Sequence, residues 1–239
     1  MSQDGIDTAM RMPIGPSWLC IDTCGPYLCV ALGSAAAFES IVQPGQNRSS
    51  IDLVPAIQKL FSAAKRDKPD AIAVTVGPGS FTGARIGVST ARNLGMLWNI
   101  PVRPFYSLQL YAESIRNKAP LLVCLDGKQN KFYSLLIRKP EQVYETREAD
   151  LQDLTPAQIA STISLDIDIF CDAPELLKER LPEARPVLSL PQPDPESFFR
   201  LLDRSAGQAL SYNSIIPVYV RSDPATAKYP DGFQHKPES

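Results

Sequence analysis

Two stretches of this chain repeat one theme. Trp18-Leu19-Cys20-Ile21 is an apolar run that ends in Asp22-Thr23, turns at Gly25-Pro26 and returns as Tyr27 to Leu32. Downstream, Leu121 to Leu125 runs into Asp126-Gly127, a polar turn follows over Lys128 to Lys131, and Phe132 to Ile137 returns. Each copy reads as an antiparallel hairpin with an aspartate at its mouth. The repetition is a faint internal duplication. Two hairpin-plus-helix units within 239 residues predict an α/β chain of two similar lobes facing each other.

Between and after the hairpins the pattern alternates. Ala35 to Val42 supplies a third strand. Ile51, Val54, Ile57, Leu60 and Phe61 recur at helical spacing behind Ser49 or Ser50 as cap, and Pro55 should bend that helix. Ala71 to Val76 is a buried strand, a helix runs to about Trp98, Pro101 to Tyr106 is extended, and Leu108 to Asn117 is helical. The second half offers a segment at Val143 to Thr146 and helices at Pro156 to Ile163, Pro174 to Arg180 and Pro195 to Leu210. Its strands fall at Ile167 to Cys171 and Pro186 to Leu190, with a last extended run at Ile215 to Val220. The expected division is a loose extension over 1–16, a first lobe over 17–106, a second, degenerate lobe over 107–221, and a polar tail over 222–239.

Composition narrows the function. Net charge is -2, from 24 basic and 26 acidic residues, without the basic excess of a protein that grips nucleic acid alone. No apolar run approaches the roughly 20 residues that span a bilayer, and the first sixteen residues lack a secretory h-region. The only histidine is His235, in the tail, which argues against histidine-ligated metal and histidine-dependent triads. The five cysteines fit neither a disulfide framework nor a zinc site, so a reducing, cytoplasmic setting is expected. Cys24 beside Gly25 could be a reactive thiol, but no nearby cation would lower its pKa.

The most informative stretch is Gly77-Pro78-Gly79-Ser80-Phe81-Thr82-Gly83-Ala84-Arg85-Ile86-Gly87. It carries neither the Lys-Ser/Thr of a P-loop nor the dinucleotide spacing, and Pro78 deletes an amide donor. In the helix that Ser80 caps, Gly83, Gly87, Ala91 and Gly95 form one narrow stripe. Interior glycines cost roughly 1 kcal/mol each relative to alanine, so a close approach must offset them. Residue types alone favour packing on the helix's own sheet over a helix of another protein. Arg85, a cation in the first turn, opposes the macrodipole and calls for a carboxylate.

Val76 to Gly83 with Arg85-Ile86-Gly87 resembles the signature of the TsaB (YeaZ) family. Ile21-Asp22-Thr23, Leu53-Val54-Pro55-Ala56-Ile57, Asp126 with Phe132-Tyr133, and Pro217-Val218-Tyr219-Val220-Arg221 resemble its other motifs, in the family's order. The resemblance implies two actin-like ATPase (ribonuclease H-like) lobes. It also implies a non-catalytic scaffold and activator that pairs with the catalytic subunit TsaD (Gcp), joined by the ATPase TsaE. That assembly transfers threonylcarbamoyl to the adenosine beside the anticodon of tRNAs reading ANN codons, so tRNA is met only through the complex. The family's partner surface is the first lobe's two helices. This turns the preference for the stripe outward and gives the expected interface: Leu53, Ile57, Phe81, Gly83, Ala84, Arg85, Gly87, Val88, Ala91 and Gly95. A face of that kind is also compatible with a homodimer of the free chain.

Two departures stand out. Asn47-Arg48-Ser49-Ser50 replaces an acidic-histidine pair common in the family, and Cys171-Asp172-Ala173-Pro174 stands where many members show glycine. The second departure argues against an adenosine site, and no cofactor or metal is expected. The competing reading is an actin-like ATPase or sugar kinase acting alone, with Asp22, Thr23, Asp126 and Gly127 as candidates for phosphate and magnesium. A peptidase, suggested by an older family label, finds no nucleophile with a base.

Overall fold

A computed structural model describes residues 15–45, 48–115, 118–164, 166–181 and 186–220. Most of the expected N-terminal extension, Asn47, the end of the helix expected to Asn117, Arg221, the tail and His235 lie outside the described residues.

The duplication is real in three dimensions. The first sheet contains β1 (Trp18–Asp22), β2 (Tyr27–Ser34), β3 (Ala37–Pro44), β4 (Ala71–Thr75) and β5 (Val102–Phe105), in the order β3-β2-β1-β4-β5. Strands β1, β2 and β3 pair antiparallel, while β1, β4 and β5 run parallel. The second sheet contains β6 (Leu121–Asp126), β7 (Phe132–Ile137), β8 (Gln152–Leu154), β9 (Asp168–Cys171) and β10 (Val187–Ser189), in the order β10-β9-β6-β7-β8. Substituting β6 for β1 and β7 for β2 reproduces the first sheet strand for strand, including which pairs are parallel. These are two mixed α/β sheets of the actin-like kind, and Asp22 and Asp126 occupy equivalent strand ends.

Alternation along the strands sorts the helices. In the first sheet Leu19, Ile21, Leu28, Val30, Ile72 and Val74 point outward, beneath α1 (Ser49–Ala64) and α2 (Phe81–Trp98). The opposite face carries smaller groups, Cys20, Cys29, Ala31 and Ala73, against α3 (Ser107–Ser114) and α6 (Glu196–Arg204). The small side chains leave room for Tyr111, Leu108 and Phe198, all fully buried between the sheets. Each such side chain stabilises the junction by roughly 1.5–3 kcal/mol. Arg200 of α6 pins it further, pairing with buried Glu113 of α3 at 2.6 Å and with Asp194 at 2.7 Å. Helices α4 (Pro156–Thr162) and α5 (Pro174–Arg180) cover the outer face of the second sheet.

Four expectations need correction. Val143 lies within a 3-10 turn over Pro140–Glu145, and β8, too short to show alternation, had no reading in the sequence. Helix α6 ends at Arg204 rather than Leu210, and Leu210 instead bridges Val102 on the edge of β5. Residues 215–220 form no strand, though Val218 N–H donates to the Val76 carbonyl. The fourth correction concerns the small-residue stripe. Gly83, Gly87, Ala91 and Gly95 face their own lobe: a Cβ at Gly83 would strike the Thr23 carbonyl oxygen, one at Gly87 the Thr23 hydroxyl, and one at Gly95 would lie 2.9 Å from Tyr212. Leu53, Ile57, Ala84 and Val88 are buried as well. Of the ten residues expected at an interface, only Phe81 and Arg85 are exposed.

Gly87→Leu is therefore expected to destabilise the protein by roughly 1–3 kcal/mol or more, because overpacking here meets a hydroxyl and the sheet rather than solvent. Chemical denaturation checks this, and a variant with unchanged stability would return the stripe to the surface.

A candidate inter-lobe cleft with its first acid sealed

The two hairpins and the loop before α2 converge on one cleft of about 550 Å³. Thr23 to Pro26 and Gly79 to Gly83 line it from the first lobe, Leu125 to Lys128, Tyr133 and Asp172 from the second. Local chemistry shapes the first wall. Ser80 caps α2, its hydroxyl accepting from Gly83 N–H at 3.1 Å, as the sequence predicts. Gly79 has φ +158 and sits where a Cβ would strike the Cys24 carbonyl, so glycine is needed for the close approach. Ser80 N–H donates to that same carbonyl at 2.7 Å, and Thr23 Oγ1 donates to the Gly83 carbonyl at 2.7 Å. The tip of the first hairpin is thus sewn to the start of α2.

Asp22 ends up behind this seam and does not line the cleft. It has no exposed surface. Its Oδ1 accepts from Thr75 Oγ1 at 2.5 Å and from Cys24 N–H at 3.1 Å, while Oδ2 has no hydrogen-bond partner among the described residues. Burial pushes its pKa up to about 6, against the opposing effect of the Thr75 and Cys24 hydrogen bonds. Thr23 lines the cleft but spends its hydroxyl on Gly83.

The second acid is placed differently. Asp126 reaches the cleft with Gly127, but its carboxylate accepts from Lys128 N–H at 2.8 Å and pairs with Lys128 Nζ at 2.6 Å. Asp172, a residue that sequence reasoning used only as a departure from glycine, supports the turn by accepting from Asp126 N–H at 2.8 Å. Burial raises its pKa. The structure therefore brings Thr23, Asp126 and Gly127 to one cleft and leaves Asp22 outside it. Among the described residues no group of three or more His, Cys, Asp or Glu could hold a metal ion.

The remaining expectations resolve simply. Cys24 is buried and its thiol pKa is driven up, first by burial and then by Asp22, so it is not a reactive thiol at neutral pH. All five cysteines are free and buried. Arg85 finds no carboxylate among the described residues; it lies 3.7 Å over the Phe81 ring and donates to the Tyr219 hydroxyl at 3.0 Å. At the departure before α1, Arg48 pairs with Asp52 at 2.9 Å, and the Ser49 hydroxyl turns back to the Gly45 carbonyl instead of capping the helix.

Comparison with known proteins can now be set beside this geometry. Residues 45–168, just over half of the chain, match the family TsaD: tRNA N6-adenosine threonylcarbamoyltransferase. Over 177 residues the chain is 30% identical to the tRNA threonylcarbamoyladenosine biosynthesis protein TsaB of Bacillus subtilis, a stretch of 72% of this chain and 69% of that one. The chain belongs to the TsaB (YeaZ) family. It is 28% identical to the TsaB of Buchnera aphidicola over 48% of this chain, and it spans only 57% of that relative's length. In structure it is similar to YeaZ from Pseudomonas aeruginosa, with a TM-score of 0.65, 21% identity, and coverage of 86% of this chain and 100% of that one. A second Pseudomonas aeruginosa structure, described as similar to peptidase YeaZ, gives 0.67 at 21% identity, over 87% of this chain and 100% of that one. These likenesses establish the fold.

The buried acid gives a pH signature with a definite sign. The native pKa of Asp22 lies above its unfolded value, so the native state holds the extra proton. Its stability contribution is fully present below about pH 4 and is lost as pH rises through about 6. Asp22→Asn should raise the melting temperature at pH 7.5 and flatten its pH dependence between about 4 and 6. Scanning calorimetry across that range checks both; equal pH profiles for the two proteins would show that Asp22 titrates normally.

Proposed function

We propose that this chain is a non-catalytic subunit in tRNA threonylcarbamoyladenosine biosynthesis, pairing with a TsaD-like transferase. The observation that carries the reading is the sealing of Asp22. In the competing reading, an ATPase or kinase, the acid at the end of the first hairpin strand would face the cleft to hold magnesium and order a water. Here that acid is turned to Thr75 and Cys24, and the equivalent acid of the second lobe is matched by Lys128. What remains is a pair of lobes with an outer layer of two helices on the first.

The helix layer supports pairing, though through different side chains from the stripe. Five of the nine large apolar residues exposed among the described residues sit on α1 and α2: Ile51, Val54, Phe81, Met96 and Leu97. Leu97 is 73% exposed and Ile51 63%. Single exposed leucines are ordinary, but several on two adjacent helices mark a contact surface. A TsaD-like partner fits because the same family model covers both proteins and a shared fold offers matching helices. A TsaE-like ATPase would join that pair. A net charge of -2 suits a chain that meets tRNA through its partner rather than directly. No helix among the described residues is long and apolar enough to cross a membrane, and we place the protein in the cytoplasm.

The second reading, an ATPase or kinase acting alone, draws on the cleft itself, which has the size and position of a nucleotide site. The peptidase reading gains nothing, since Cys24 is buried and the cleft holds no base beside a nucleophile.

The double variant Ile51→Asp/Leu97→Asp should keep its folding stability within about 0.5 kcal/mol per site, as exposed substitutions usually do. It should bind its cognate TsaD-like protein at least ~100-fold more weakly, because two carboxylates would be desolvated in the contact. Calorimetric titration of the purified pair measures this. Undiminished binding would remove α1 and α2 from the interface, and tRNA modification that proceeds equally well without this chain would remove its role.

A further inference from the structure

A second cavity, of about 400 Å³, lies on the far side of the first sheet's β5 edge and has no part in the cleft or in the helix layer. Phe105 and Tyr106 wall it on one side, the loop Ser205 to Gln208 on another, and Ile215 and Ile216 close it. Its one buried cation is Arg103, 8% exposed. Arg103 has a structural duty. It donates to the Leu202 carbonyl at 2.8 Å and to the Ser205 carbonyl at 2.6 Å, closing the C-terminal end of α6, where a cation is favourable. Its charge centre lies 5.1 Å from the Phe105 ring.

That duty leaves two features over. First, a guanidinium has five N–H donors, and two carbonyl contacts do not use them; the Nε–H has no acceptor among the described residues. Second, no carboxylate among the described residues bears on Arg103. Its pKa is lowered by burial alone, whereas Glu148 and Asp150 act on the Tyr106 hydroxyl instead. A buried charge without a counter-ion is costly. A donor-rich cation thus stands in the wall of a mainly apolar, aromatic-sided space.

We propose that this cavity binds a small monocarboxylic acid with an aromatic or branched apolar body, its carboxylate on Arg103. Planar guanidinium donors match a carboxylate in geometry. One cation neutralises one negative charge. A phosphate dianion would leave excess charge in a half-apolar site that has a single basic residue. The aromatic and aliphatic walls take the body of the ligand, as in most small-molecule sites. The inference stands independently of the proposed pairing, since no residue of the cavity lies on α1 or α2.

Phenylacetate and its neutral isostere phenylacetamide separate the charge from the shape. With the full chain labelled in nitrogen-15, phenylacetate should produce saturable shifts at the Gly207 amide and the Arg103 Nε–H. Phenylacetamide should bind at least ten-fold more weakly. Ile216→Trp, a substitution at a position 65% exposed and so without cost to the core, should fill the opening and abolish the shifts. Equal affinity for acid and amide, binding that survives Ile216→Trp, or no localised shift up to the solubility limit would each overturn the proposal.

Discussion

The close approach of α2 to the end of β1 organises this molecule. Thr23 donates its hydroxyl to the Gly83 carbonyl at 2.7 Å, and a side chain at either Gly83 or Gly87 would occupy the space where that contact forms. The helix gives up roughly 1 kcal/mol per interior glycine. In return it docks close enough for its first turn, the Gly79 loop and the hairpin tip to share backbone hydrogen bonds. The contact sets the position of α2 on the sheet, and with it which side chains of the helix remain outside.

The same approach decides the chemistry of the cleft. Closing the hairpin tip against α2 puts Asp22 behind a wall of backbone, where burial favours its protonated form and its hydrogen bonds run to Thr75 and Cys24. The equivalent position in the second lobe, Asp126, keeps access to solvent but is matched by Lys128. The two hairpins share one pattern yet hold their acids in different ways, Asp22 by enclosure and Asp126 by pairing with a lysine. The lobes still face each other across a well-formed cleft, because their junction rests on α3 and α6 and not on the acids.

Much of this architecture was legible in the residues. Alternation, turn residues and the repeated aspartate located both hairpins, and Ser80 announced the start of α2. The direction of the glycine stripe was not legible. Spacing of four shows that one edge of a helix lacks bulk, and hence that something comes close. It does not show what comes close, because Thr23 and Gly83 are far apart in sequence and joined only by the fold. The resemblance to a family with a helical partner surface drew the stripe outward, whereas the large apolar residues that remain exposed include Ile51, Met96 and Leu97, none of them in the stripe. The burial of Asp22 was hidden for the same reason: a hairpin-end aspartate reads alike whether its mouth is open or closed. Arg103 gave no signal at all, since a single arginine in a strand edge is ordinary until its surroundings are known.

Magnesium-dependent nucleotide binding tests the central claim most directly, because it asks whether the acid behind the seam can still serve a metal. Isothermal calorimetry of the isolated chain with ATP, in magnesium and then in EDTA, should give the same heat in both and no release of phosphate. Submicromolar ATP binding that requires magnesium, or steady hydrolysis, would mean that Asp22 reaches the cleft and that the lobes form an enzyme after all.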